Sequence, residues 1–99
     1  MDKVLGFLKN LAKAYGSKLV LFGSRARGNF TNTSDYDIAF FEINNDLDKI
    51  KIRYTCEHEA PTLCKIDVHF AEEMSEKLFA NMEKEGIIIY ELTGNWKFY

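Results

Sequence analysis

The constraint that dominates this chain is a turn set between two apolar runs. Lys18-Leu19-Val20-Leu21-Phe22 leads directly into Gly23-Ser24-Arg25-Ala26-Arg27-Gly28, and after Ser24 and ten intervening residues comes Asp35-Tyr36-Asp37-Ile38-Ala39-Phe40-Phe41. Both runs are rich in strand-forming residues, so the turn leaves one strand and the two carboxylates ride on the next. Residues two apart on a strand point the same way. Asp35 and Asp37 therefore share a face, while Tyr36, Ile38 and Phe40 take the opposite, core-facing one. Lys65-Ile66-Asp67-Val68-His69-Phe70 repeats the pattern, with Lys65, Asp67 and His69 on one side and Ile66, Val68 and Phe70 on the other. If both strands bury their apolar sides against the same helices, Asp67 lands on the face of Asp35 and Asp37.

The remaining segments fill in the fold. Val4, Leu5, Leu8, Leu11, Ala12 and Tyr15 recur at helical spacing, and Gly16 stands where a C-terminal cap belongs, which predicts an amphipathic helix over 2–15. Ser24 to Gly28 starts a short helix, and the polar stretch from Gly28 to Ser34 reads as loop. Residues 45–58 are two-sided: Leu47, Ile50 and Tyr54 fit a helix, whereas Ile50, Ile52 and Tyr54 alternate like a strand. Asn45, Asp46 and Asp48 suit a helix N-terminus, so helix is expected. After the turn signal at Pro61 comes the Lys65–Phe70 strand. A helix is expected over 71–85, with Met74, Leu78 and Met82 as a packing stripe, Glu72, Glu73 and Glu76 as a solvated face, and Gly86 as its end. Gly86 to Glu91 supplies a fourth strand. The α-β-α-β-α-β-α-β order predicts an α/β (α+β) fold: a small mixed sheet of about four strands with helices packed on one face, as one domain over residues 1–99.

Composition narrows the function classes. A chain of 99 residues that is 46% hydrophobic and 28% charged is ordinary for a globular domain, and no apolar run is long enough to span a membrane. With no signal-peptide pattern at its start, the expected location is the cytoplasm. Cys56 and Cys64 are too far apart for a redox pair and lack the companions of a zinc site, so they are expected to be free thiols. A net charge of −2 argues against direct nucleic-acid binding through charge.

The chemistry-bearing residues are few. Three carboxylates converging on open space suit a hard cation such as Mg²⁺, which takes oxygen ligands and shares them with substrate phosphates. Gly23 lets a phosphate approach the backbone, and Ser24 offers a hydroxyl at a helix start. Arg25 and Arg27 have the geometry for phosphate oxygens. Taken alone, Gly-Ser is an ordinary strand-to-helix turn with solvated arginines, and the G-x-x-x-x-G-K-[ST] pattern of a P-loop is absent. Asp46-Leu47-Asp48 is an internal control. It is also Asp-x-Asp, but in a first helical turn its side chains splay roughly 200° apart, so its role is favourable charge at a helix N-terminus.

In order, Gly23-Ser24, Asp35-x-Asp37 and then Asp67 between apolar strand residues resemble the nucleotidyltransferase fold of the DNA polymerase β superfamily. The short chain and the Gly-Ser-Arg-Ala-Arg-Gly wording resemble its minimal nucleotidyltransferases, over nearly the whole length. The resemblance implies transfer of AMP from ATP to a hydroxyl with Mg²⁺, two ions being expected when the nucleoside triphosphate is bound. Asp35 and Asp37 would hold metal, Asp67 would be a further ligand or would help deprotonate the acceptor, and Gly23, Ser24, Arg25 and Arg27 would bind the nucleotide. Many such proteins are antitoxins encoded beside HEPN-domain ribonuclease toxins, and some adenylylate a tyrosine of the toxin. The resemblance thus implies a HEPN-type toxin as partner. Two other readings stand beside it: an antitoxin that binds nucleotide and neutralises its partner by contact, and a transferase acting on an antibiotic or sugar.

In the family it resembles, larger members use a second domain to bind base and acceptor, so the resemblance implies a half-open cleft here that a partner is expected to complete. Ala39 and Phe41, on the carboxylate face, are expected to be only partly covered, and the aromatic tail with Trp96, Phe98 and Tyr99 is a candidate interface. His69 shares the Asp67 face and is a weaker candidate for contact with a phosphate or the acceptor hydroxyl; His58 is expected to be exposed.

Overall fold

The computed structural model describes residues 2–92. The aromatic tail call on Trp96, Phe98 and Tyr99 therefore lies outside the described residues. Helix α1 (Lys3–Ala14) starts where the Asp2 carboxylate accepts the Leu5 N–H at 2.7 Å. It ends in a Schellman turn: Gly16 adopts φ 61°, its N–H donates to the Lys13 carbonyl, and the Ser17 N–H donates to that of Ala12. Strand β1 (Leu19–Phe22) follows, then the single helical turn α2 (Ser24–Arg27), closed by Gly28 in the left-handed region. Strand β2 (Tyr36–Phe40), helix α3 (Asp46–His58), strand β3 (Ile66–Phe70), helix α4 (Glu76–Glu85) and strand β4 (Ile87–Tyr90) complete the expected order.

The sheet runs β3-β2-β1-β4 and is mixed. β1 is antiparallel to both β2 and β4, whereas β2 and β3 are parallel, joined by α3 as crossover. One face carries the main core: Leu19, Leu21, Tyr36, Ile38, Phe40, Val68 and Phe70 pack against Val4, Leu8 and Ala12 of α1 and Ile52 and Cys56 of α3. The helical layer expected on one face is this one. α4 departs from it and crosses the opposite face, where Met82, with Met74, Leu78 and Phe79, covers Val20, Phe22 and Ala39. Ala39 is consequently fully buried rather than partly covered, and Phe41 meets Phe79 edge-on at 6.2 Å. Met74, Leu78 and Met82 do pack together in this core, although Met74 lies ahead of α4 and not on its helical face.

Two local expectations are corrected. The helix expected over 71–85 is interrupted: Ala71–Glu73 form a 3₁₀ turn, Met74 and Ser75 are extended, and the Ser75 hydroxyl caps α4 by accepting the Leu78 N–H. Glu72 and Glu73 therefore leave the α4 face. Glu72 accepts the N–H of Glu42, which sits at φ 62°, and Glu73 pairs with Lys49. In α3 the helix is present and capped by Asn45, with Asp46 and Asp48 in its first turn, but Leu47, Ile50 and Tyr54 point to solvent. Ile52 and Cys56 face the core instead. Among the described residues no helix is long and apolar enough to cross a membrane.

Candidate active site

The register of the sheet decides which carboxylates meet. Asp37 is paired with Asp67 across the parallel β2–β3 ladder and with Phe22, the last residue of β1, across the antiparallel one. All three side chains project to the face that α4 half covers. Ala39 and His69 are likewise paired, one step further along. The apolar cover of α4 stops short of Asp37 and Asp67, and a cavity of about 640 Å³ opens there. Its lining includes Gly23, Ser24, Arg27, Asp35, Asp37 and Asp67, six of the seven residues singled out from the sequence.

Asp37, Asp67 and His69 each present a ligand atom within 4.8 Å of the others, the only such group of three among the described residues. His69 Nε2 lies 3.4 Å from Asp67 Oδ2, and its ring packs on Phe22 at 5.3 Å. Asp35 is exposed, just ahead of β2; it lines the cavity but stands outside that compact group. Burial pushes the Asp37 carboxyl above its ordinary range, the negative charges of Asp67 and Asp35 push it further, and His69 opposes them. Two crowded carboxylates whose charges repel are the oxygen donor set that a hard divalent cation relieves, so these residues fit one.

Gly23 is obligatory for two reasons. Its φ of 73° is a conformation that side chains resist, and a Cβ there would collide with the Asp37 carboxylate. The turn and the carboxylates are thus one packed unit. The Gly23 N–H donates to Glu85 Oε1 at 3.1 Å, and Arg27 Nη1 lies 3.1 and 3.0 Å from the two Glu85 oxygens. Arg27, through its hydrogen bonds, holds the Glu85 carboxyl below its usual range, the Gly23 N–H assisting.

Arg25, expected at the nucleotide, goes elsewhere. Its Nε donates to the Ser34 carbonyl at 3.0 Å and its Nη2 reaches toward the carbonyls of Thr31 and Asn32. Its guanidinium stacks on Tyr36 at 3.8 Å and on Phe30 at 4.8 Å. The Nε and Nη2 donors of its flat fork are thus turned to the loop that delivers Asp35. The sequence reading also missed Asn81 and Glu85, which α4 turns into the cavity together with Leu78. Their spacing of three and four residues marks one helix face, but nothing local says that this face meets a turn some sixty positions earlier. Cys56 and Cys64 are free thiols; Cys56 is buried, which pushes its thiol up to about 12.

The model of the family described as "Polymerase beta, Nucleotidyltransferase" matches residues 8–93. Among curated proteins no significant sequence relative is found. Among solved structures, a toxin–antitoxin crystallised with AMP-PNP is similar with a TM-score of 0.69 and 16% identity, over 89% of this chain and 73% of the other. A mutant of the toxin–antitoxin MntA–HpeT gives 0.66 and 13% over the same shares. A candidate nucleotidyltransferase from Sulfolobus solfataricus gives 0.51 and 21%, over 89% and 80%. At these identities the likeness is one of fold.

Proposed function

The chain belongs to the polymerase β nucleotidyltransferase family, and from that premise we propose that it moves AMP from ATP to a hydroxyl of a partner protein. The proposed acceptor is a tyrosine of a HEPN-type toxin, for which this chain acts as antitoxin. The observation that carries the reading is the pairing of Asp37 with Asp67 across β2 and β3, directly beside the Gly23 turn, with Ser24, Arg27 and Asp35 in the same cavity. The similar solved structures support the choice of nucleotide and partner, one of them being a toxin–antitoxin crystallised with AMP-PNP.

The proposed roles follow from position. Mg²⁺ held by Asp35, Asp37 and Asp67, two ions once nucleotide is present, would supply charge neutralisation at the phosphates and activation of the attacking oxygen. The Gly23-Ser24 turn and Arg27 hold the β- and γ-phosphates, with Phe22 and Leu78 as apolar lining of the same cavity. The acceptor oxygen attacks the α-phosphorus in line. The bond from that phosphorus to the bridging oxygen breaks, pyrophosphate leaves with the electron pair, and the hydroxyl proton passes to Asp67. Most of the acceleration comes from alignment and charge stabilisation. Arg25 serves the site indirectly by fixing the loop that carries Asp35.

Incubating the protein with its partner, Mg²⁺ and ATP labelled at the α-phosphate should transfer label to the partner. Asp37→Asn should lower the rate on the order of a hundredfold or more, the scale of losing a group that stabilises transition-state charge. A partner that is neutralised without label, equally by wild type and Asp37→Asn, would replace the transferase with the contact antitoxin.

A further inference from the structure

We infer that Glu85 is a built-in competitor for the phosphate seat, a carboxylate that the nucleotide displaces on entry and that returns as pyrophosphate departs. The inference rests on the nucleotide reading above and deepens it. Two of the groups that reading gives to the phosphates, the Gly23 N–H and the Arg27 guanidinium, are both engaged by this one carboxylate, at 3.1, 3.1 and 3.0 Å. Two oxygens on a glycine amide and a guanidinium reproduce the contacts of two phosphate oxygens. The arrangement brings together residues 62 and 58 positions apart, so it is tertiary packing and not local turn chemistry.

The Gly23 N–H has one hydrogen and Arg27 Nη1 gives its contacts to Glu85, so a phosphate takes these two donors only as the carboxylate leaves them. Glu85 is the last residue of α4, followed by Gly86, and its side chain keeps 23% of its exposure. It can therefore swing to water by side-chain rotation while Met82, 2% exposed, keeps the helix anchored. The ion pair has two consequences. It keeps Arg27 and the Gly23 amide aimed at one point before ligand arrives, which lowers the ordering cost of binding. It also taxes the affinity for polyphosphate, because the pair must open first and the displaced charge stays nearby. The tax falls most heavily on the product: pyrophosphate has lost the nucleoside contacts that offset it for ATP. Glu85 thus tunes product release.

The test is the dissociation constant of pyrophosphate, measured by calorimetry with Mg²⁺ for wild type and Glu85→Gln. Gln keeps the size of the side chain and removes the charge. Pyrophosphate should bind roughly three- to tenfold more tightly to Glu85→Gln, the scale of one partly exposed charge contact. The gain should shrink to under twofold in an Arg27→Gln background, because the seat is then broken whichever residue stands at 85. Glu85→Ala, also exposed to pyrophosphate, should gain at least as much as Glu85→Gln. Unchanged or weaker binding in Glu85→Gln, with wild type binding normally, would overturn the inference alone and make Glu85 a simple support for Arg27. A gain that persists undiminished with Arg27→Gln would overturn it as well, leaving only diffuse repulsion. Failure of wild type and variant alike to bind both pyrophosphate and ATP would remove the nucleotide reading and this inference together.

Discussion

Asp37 lines the candidate site and is costly to the fold wherever it carries its charge. Its carboxyl titrates above its ordinary value of 3.8 because burial withdraws it from water and Asp67 and Asp35 add negative potential. The folded state therefore holds a proton at Asp37 more tightly than the unfolded chain does. In the absence of divalent cation, the resulting penalty is missing below the ordinary carboxylate range, sets in as pH rises through it, and is complete above the raised value. Asp37→Asn removes the penalty together with the negative charge. At pH 7.5 in chelator, the variant should melt a few degrees higher than wild type, and the difference should fade as pH is lowered toward 4. Thermal melts across that range check both statements; a variant less stable than wild type at pH 7.5 would mean that Asp37 is held by contacts stronger than the repulsion. The identity of Asp37, Asp67 and the Gly23 turn was legible because strand parity and a φ-demanding turn are local properties. Arg25 lies apart from the cavity because three carbonyls and two aromatic rings, none predictable from spacing, engage its guanidinium.

At the scale of elements, the strands and most helices were legible from periodicity and caps, whereas the side each helix shows to the sheet was not. α3 carries two apolar lines. Leu47, Ile50 and Tyr54 form the longer one, yet Ile52 and Cys56 are the residues at 0% and 4% exposure. The shorter line suffices because Lys49 and Arg53 lay their cationic ends over the Phe70 ring and complete the cover. The break before α4 was readable in principle, since Ser75 is a good N-cap, but a continuous amphipathic pattern masked it. One contact joins the elements most directly to the site. Asp2 caps α1 through one oxygen and accepts the Tyr36 hydroxyl at 3.2 Å through the other, so it pins the helix to the residue between Asp35 and Asp37. Asp2→Ala should lose the cap and leave the Tyr36 hydroxyl without this partner, at a cost of about 1–2 kcal/mol. For a domain of this size that lowers the melting temperature by about 4–8 °C per kcal/mol. Asp2→Asn, an equally good cap, should recover most of it in urea or thermal melts; no loss in Asp2→Ala would show that α1 is held by its apolar face alone.

For the whole molecule, the decisive quantity is where the charge sits. The chain carries only −2 overall, but among the described residues the cavity is lined by four carboxylates, Asp35, Asp37, Asp67 and Glu85, against a single guanidinium, Arg27. Such a cavity repels a polyphosphate unless cations enter with it, so nucleotide and divalent cation must each raise the affinity for the other by the same factor. Arg27 alone does not balance them: it carries one charge, and in the free protein Glu85 engages it. The coupling should be visible in stability, where a ligand at a hundred times its dissociation constant adds about 2.7 kcal/mol. In thermal melts at fixed protein concentration, ATP in chelator should leave the melting temperature nearly unchanged, and Mg²⁺ alone should raise it slightly by relieving Asp37. Together they should raise it by clearly more than the sum of the two, and Asp37→Asn should erase that excess. Equal stabilisation by ATP with and without Mg²⁺ would mean that the phosphates bypass the carboxylates altogether, and would move the nucleotide out of the cavity that β1, β2, β3 and α4 enclose.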